Sequence, residues 1–126
     1  MDRKTRILIV DDNLSFRKGM RALLEIQPDL QVAGEAPDGQ KALELVEQLQ
    51  PDLVLLDAQM PGMTGLEATR QIKDRWPQTK VLLLTMYSDY RTKAIESGAD
   101  SFATKGIPPE HMLSVIRGII RLEPHE

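Results

Sequence analysis

Asp11, Asp12, Asp57, Thr85 and Lys105 are the residues of this chain whose types could combine in one reaction site. Three carboxylates in one crevice repel one another and raise one another's pKa values. A hard divalent cation among them lets all three stay ionised. A small set of oxygen ligands suits Mg²⁺ that keeps some of its waters. A lysine ammonium and a threonine hydroxyl opposite would supply positive charge and a donor for an anion. Carboxylates, a metal and a lysine are the equipment of phosphoryl transfer, where catalysis is mostly positioning and charge neutralisation. Asp57 is the candidate nucleophile in such a set.

These residues are scattered along 126 positions, so folded elements must bring them together. Three apolar runs, residues 7–10, 53–56 and 81–84, are strand length, and none alternates polar with apolar. That pattern suits strands covered on both faces, as in a parallel sheet flanked by helices. Two weaker runs, 30–36 and 101–104, carry more polar and small residues and read as edge strands. Helical periods fill the gaps: Phe16, Met20, Leu23 and Leu24; Ala42, Leu45, Val46 and Leu49; and, more loosely, Gly65, Thr69, Ile72 and Trp76. Asp38 and Thr64 stand where N-caps belong and Gly98 where a helix should end. The string Gln-Pro-Asp-Leu occurs at 27–30 and at 50–53, each time closing a helix and opening a strand, and Pro77 punctuates similarly.

Five strand–helix units imply one doubly wound α/β domain, a (βα)5 fold with right-handed crossovers. Central apolar strands and polar edge strands are satisfied by the order 2-1-3-4-5, with the switch point between strands 1 and 3. Ligands in such sheets bind at the carboxyl ends of the strands beside that point. Asp11 and Asp12 follow strand 1, Asp57 follows the central strand 3, Thr85 ends strand 4 and Lys105 follows strand 5. All five therefore gather on the binding edge, with Asp57 in the middle.

Val10-Asp11-Asp12, Leu56-Asp57 with Met60-Pro61-Gly62, Leu84-Thr85 and Ala103-Thr104-Lys105 together resemble the receiver domain of bacterial two-component response regulators. The resemblance runs from about Arg6 to Arg121 and implies a flavodoxin- or CheY-like fold. It further implies a domain that accepts a phosphoryl group on Asp57 from a sensor histidine kinase. Asp12, Asp57 and the Gln59 backbone carbonyl would ligate Mg²⁺, with Asp11 acting through water. Thr85 and Lys105 would hold the phosphoryl oxygens, Phe102 would be the aromatic that moves with the threonine, and Ala58, Gln59 and Met86 would line the approach to the pocket. The residues around Asp57 and Thr85 look most like the branch whose receivers precede a LuxR-type (NarL- or FixJ-like) helix-turn-helix. Transcriptional control would then be the output of a parent protein, with no output domain in residues 1–126. The resemblance also implies a phosphorylation-dependent surface of helix 4, strand 5 and helix 5, open to a homodimer.

Three residues depart from the family's habit: Met86 after the threonine, Gly106 after the lysine where proline is frequent, and Phe102 where tyrosine is often found. Met86 would narrow access to Asp57. Rival readings are weaker. A haloacid-dehalogenase-type phosphatase needs an aspartate where this chain has Gln59, and no glycine-rich phosphate loop supports a nucleotide or flavin binder. A degenerate receiver serving as a phosphate-independent interaction module stays as the alternative.

Composition sets the outer bounds. A net charge of −3 argues against this domain holding a nucleic-acid backbone. With no cysteine, disulfides, thiolate metal sites and cysteine nucleophiles are excluded. No apolar run approaches the roughly 18 residues of a membrane span, and the amino terminus does not read as a signal peptide, so a cytoplasmic setting is expected. His111 and His125 lack metal-spaced partners and read as surface residues. In the last helix Leu113, Ile116 and Ile120 form one stripe and Met112, Val115, Ile119 and Leu122 another, wider than one core face usually requires.

Overall fold

The computed structural model describes residues 3–121. Strands β1 (Thr5–Val10), β2 (Leu30–Ala36), β3 (Leu53–Asp57), β4 (Lys80–Thr85) and β5 (Ser101–Thr104) alternate with helices α1 (Leu14–Glu25), α2 (Gly39–Leu49), α3 (Gly65–Arg75), α4 (Arg91–Glu96) and α5 (Pro109–Arg121). The strands form one parallel sheet in the order β2-β1-β3-β4-β5. This is the doubly wound arrangement expected from the sequence, with its switch point between β1 and β3.

The unbroken apolar runs have a simple cause. Successive side chains of a strand point to opposite faces, and here both faces are covered. Leu8, Val10, Val54, Leu56, Val81 and Leu83 pack with Ala42, Val46, Ala68, Ile72 and Ala94 of α2, α3 and α4. Ile7, Ile9, Leu53, Leu55, Leu82 and Leu84 pack with Met20, Leu24, Met112, Ile116 and Ile119 of α1 and α5. Every residue of β3 is buried, whereas the edge strands β2 and β5 are mostly half-buried. Burial of this kind contributes about 25 cal/mol per Å² of apolar surface.

Local chemistry sets the helix starts. Asn13 caps α1 by accepting from Phe16 N at 2.9 Å, and Asp38 caps α2 by accepting from Lys41 N at 2.8 Å. Thr64 and Glu67 close a reciprocal capping box on α3. After α4, Ser97 is the cap and Gly98 the left-handed residue beyond it, with φ of 96°. α4 itself is only six residues long, follows a 3-10 turn at Ser88–Tyr90, and buries one residue, Ala94. In α5 the core takes Met112, Ile116 and Ile119, while Leu113, Val115 and Ile120 pack partly buried beside it. Leu122 and His125 lie outside the described residues, and His111 is exposed. No helix among the described residues is long and apolar enough to cross a membrane.

Candidate functional site

The carboxyl ends of β1, β3, β4 and β5 converge because the strands run in register. Val10 pairs with Leu56, Asp57 with Leu84, and Thr85 with Thr104. Beyond the pairing, Ala58 N donates to the Leu84 carbonyl at 2.8 Å and Lys105 N to the Thr85 carbonyl at 2.8 Å. These bonds carry the order of the sheet one residue further, into the site.

There the acidic residues meet. Asp11, Asp12 and Asp57 each offer a carboxylate oxygen, all within 4.8 Å of one another, and Asp11 and Asp57 are buried while Asp12 is exposed. Lys105 is the counter-ion, with its Nζ 2.6 Å from Asp11 Oδ2 and 3.3 Å from Asp57 Oδ2. Asp11 Oδ2 is fully buried and receives no hydrogen bond beyond that ion pair. One ammonium against three carboxylates leaves an excess of negative charge beside an under-satisfied oxygen. This donor set fits a hard cation, and the three residues could hold a metal ion.

The titration of the site follows from the same geometry. Burial, and then the charge of Asp11, push the Asp57 carboxyl up to about 6, against the pull of Lys105. Burial by itself would lower Lys105, but its hydrogen bond to Asp11 and the charge of Asp57 outweigh that and raise it. Lys105 is thus held as a cation between two acids.

Backbone donors and side chains fix the carboxylates in place. Asn13 N donates to Asp11 Oδ1 at 2.9 Å and Gln59 N to Asp57 Oδ1 at 3.2 Å. Thr85 is fully buried. Its hydroxyl donates to Gln59 Oε1 at 3.0 Å and accepts from Tyr87 N at 3.1 Å. Met86 is 68% exposed, and Ala58 is buried. Phe102 is half-buried against the α2–α4 face of the sheet and shares a cleft with Arg91, Ala94 and Ile95. Gly106 is exposed, and no peptide bond among the described residues is cis.

Four contributors to the site do not stand out in the sequence. Arg17 donates to the Asp11 carbonyl at 2.6 Å and to Glu35 at 3.0 Å. Phe16 presents its ring 4.6 Å from Lys105 Nζ, and Asn13 both caps α1 and secures Asp11. Gly65, which its spacing assigns to an ordinary helix face, touches the backbone of Asp57 and Ala58 so closely that no Cβ fits. Only Asn13 leaves a readable signal, as a capping residue directly after the acid pair.

Residues 7–117 match the family described as the response regulator receiver domain. The chain belongs to that family. Among curated relatives, the transcriptional regulatory protein DegU of Brevibacillus brevis is 35% identical over 118 residues, 92% of this chain and 50% of that protein. The transcriptional regulatory protein LiaR of Bacillus subtilis is 39% identical over 121 residues, 94% of this chain and 57% of that protein. This receiver therefore spans about half the length of the curated relatives it matches. Among solved structures, the signal receiver domain of the response regulator NarL from Mycobacterium tuberculosis superposes with a TM-score of 0.90 at 30% identity, covering 96% of this chain and 99% of that one. A LuxR-family response regulator from Aurantimonas gives 0.89 at 36% identity, covering 94% of this chain and 86% of that one. The receiver's relatives thus include the LuxR-family regulators that its sequence resembles.

Proposed function

We propose that this receiver is a phospho-acceptor switch in which Asp57 takes a phosphoryl group from the phosphohistidine of a sensor kinase. The observation that carries this reading is the Lys105 ammonium shared between Asp11 and Asp57 within a carboxylate cluster at the carboxyl edge of the sheet. A carboxylate oxygen of Asp57 attacks phosphorus. The P–O bond forms as the P–N bond breaks, and the histidine leaves with the bonding pair and takes up a proton. With its value near 6, Asp57 is mostly ionised at neutral pH and available to attack. Lys105 neutralises the transferring oxygens, and Thr85 donates a hydrogen bond to one of them.

The metal in this reading is Mg²⁺, which Asp12, Asp57 and the Gln59 backbone carbonyl would hold, with Asp11 helping through water. When bound, it supplies positive charge to the transferring phosphoryl oxygens. In the later hydrolysis water attacks the phosphorus, the bond from phosphorus to the Asp57 oxygen breaks, and the Asp57 carboxylate leaves as inorganic phosphate is released. The domain thus assists its own phosphorylation and dephosphorylation without being a metabolic enzyme. Ala58, Gln59 and Met86 border the approach to the acceptor.

The output follows the relatives. DegU and LiaR are transcriptional regulators about twice the length of this chain, so the proposed role of the parent protein is phosphorylation-controlled transcription. The proposed homodimer surface is the α4–β5–α5 side, which carries the exposed Ile95 of α4 and the half-buried Phe102 of β5. Sedimentation that gave the same oligomer with and without a phosphoryl analogue would remove the dimer from this reading.

The deciding experiment is intact mass after incubation with a small phosphodonor, with and without Mg²⁺, beside Asp57→Asn. One added phosphoryl group that needs both Mg²⁺ and Asp57 is the expected result. Absence of an adduct, together with no binding of beryllofluoride, would favour a phosphate-independent interaction module instead.

A further inference from the structure

The Thr85 hydroxyl has one proton, and in this structure that proton is already committed. It goes to Gln59 Oε1 at 3.0 Å, while the Thr85 oxygen accepts from Tyr87 N at 3.1 Å. Gln59 stands two residues beyond the acceptor, and its own N–H donates to Asp57 Oδ1 at 3.2 Å. One residue therefore holds the acceptor through its backbone and the switch threonine through its side chain.

We infer that the Gln59 carboxamide is a positioning residue that acts through Thr85: it holds the hydroxyl in a resting arrangement and must release it before Thr85 can donate to a phosphoryl oxygen on Asp57. The inference rests on the proposed phosphoacceptor reading and adds a competing acceptor to it. Two acceptors, the Gln59 amide oxygen and the phosphoryl oxygen, contend for a single proton. Gln59 is half-buried, so its released carboxamide can turn to water with little penalty. The opposing contact costs about one neutral hydrogen bond, roughly 1 kcal/mol, which is about five-fold in an equilibrium constant. The side chain thereby sets how readily the site adopts its phosphorylated arrangement, independently of the backbone groups that face the acceptor.

The test is a beryllofluoride titration at saturating Mg²⁺ on four forms of the full chain: the parent, Gln59→Met, Thr85→Ala and the double variant. Methionine keeps the length of glutamine and removes the strong acceptor. Gln59→Met is expected to tighten beryllofluoride binding about five-fold when Thr85 is present, and to change it little in the Thr85→Ala background. Mg²⁺ affinity, which depends on the unchanged backbone and carboxylates, should stay the same within about two-fold. An equal change in both backgrounds, or none in either, would overturn the inference, because Gln59 would then act through access or packing. Exchange of the Thr85 hydroxyl proton with water in the ligand-free protein gives a second, separate readout. Gln59→Met should speed that exchange, because the proton loses its acceptor, and an unchanged exchange rate would also overturn the contact's role. If the parent chain bound no beryllofluoride at all, the phosphoacceptor reading would fail, while the hydroxyl-exchange measurement would still decide the Gln59–Thr85 contact.

Discussion

Gly65 lies so close to Asp57 that a β-carbon on the glycine would stand 2.1 Å from the aspartate's carbonyl oxygen. Gly65 N also donates to the Ala58 carbonyl at 3.0 Å, so the start of α3 is clasped to the loop that follows Asp57. The obstacle is backbone on both sides and cannot swing away as a side chain would.

Gly65→Ala tests that clasp with a sign that is hard to mistake. Alanine is the better helix former and should stabilise an ordinary helical position by roughly 0.5–1 kcal/mol. Here overpacking is expected to dominate, at about 1–3 kcal/mol of lost stability. Thermal melts should show a lower midpoint, and Mg²⁺ titration should show weaker binding because the Asp57 loop must move. A more stable protein with unchanged Mg²⁺ affinity would show that the loop accommodates a side chain.

The raised Asp57 value has a consequence for stability. The folded chain binds this proton more tightly than the unfolded chain, whose carboxyl titrates near the ordinary 3.8. Stability from this group is therefore greatest below about pH 4 and is lost as pH rises to about 6. A difference of that size corresponds to something on the order of 3 kcal/mol. Asp57→Asn should flatten the pH 4–6 limb of the metal-free protein and raise its stability at about pH 7. Urea unfolding across that range is the measurement. A parent chain whose stability climbed across that limb as steeply as the variant's would contradict the raised value.

Lys105 is paired with both Asp11 and Asp57, so a cation binding those carboxylates would compete with its ammonium. Its removal leaves two buried carboxylates without their counter-ion, and breaking one side of a buried pair costs about 3–5 kcal/mol. Lys105→Met should therefore destabilise the metal-free chain strongly. The same substitution should tighten Mg²⁺ binding, since the ion no longer displaces an ammonium, and abolish phosphoryl capture. Calorimetric Mg²⁺ titration separates these effects, and weaker Mg²⁺ binding by Lys105→Met would count against direct competition at the carboxylates.

These geometries differ in how far the sequence displays them. The apolar runs of β1, β3 and β4 announce strands buried on both faces, because burial forces every position to be apolar. The acids, Thr85 and Lys105 stand at strand ends, so strand order alone brings them to one edge. α4 leaves no such trace. It buries only Ala94, so no period forms between Arg91 and Glu96. Gly65 is readable as small but not as indispensable, since the constraint is an approach of backbones distant in sequence. The Gln59–Thr85 bond depends on the path of the β3–α3 loop, and no spacing rule encodes that path. Arg17 is similar: one guanidinium serves the Asp11 carbonyl and the Glu35 carboxylate, two acceptors brought together only by the β1–β2 pairing.

Arg17 supplies the last test. Its guanidinium donates to the Asp11 carbonyl at 2.6 Å while its Nε holds Glu35 at 3.0 Å, with the Arg17 side chain 15% exposed. A lysine carries the charge but cannot divide a planar fork between two acceptors. Arg17→Lys is expected to cost about 1–2 kcal/mol and to weaken Mg²⁺ binding several-fold by loosening the Asp11 turn. Glu35 makes the pH dependence distinctive. Hydrogen bonds from Arg21 first and then Arg17 hold its carboxyl below the ordinary 4.5, outweighing burial. Stability from Glu35 is present above that value and is lost as pH falls through the depressed one, the opposite sign to Asp57. Arg17→Lys should therefore shrink the acid-side loss of stability while leaving the Asp57-dependent limb between about pH 4 and 6 in place. If Arg17→Lys and Glu35→Gln lowered stability additively in a double-mutant cycle, the two side chains would be uncoupled and Arg17 would not link the edge strand to the acid pair.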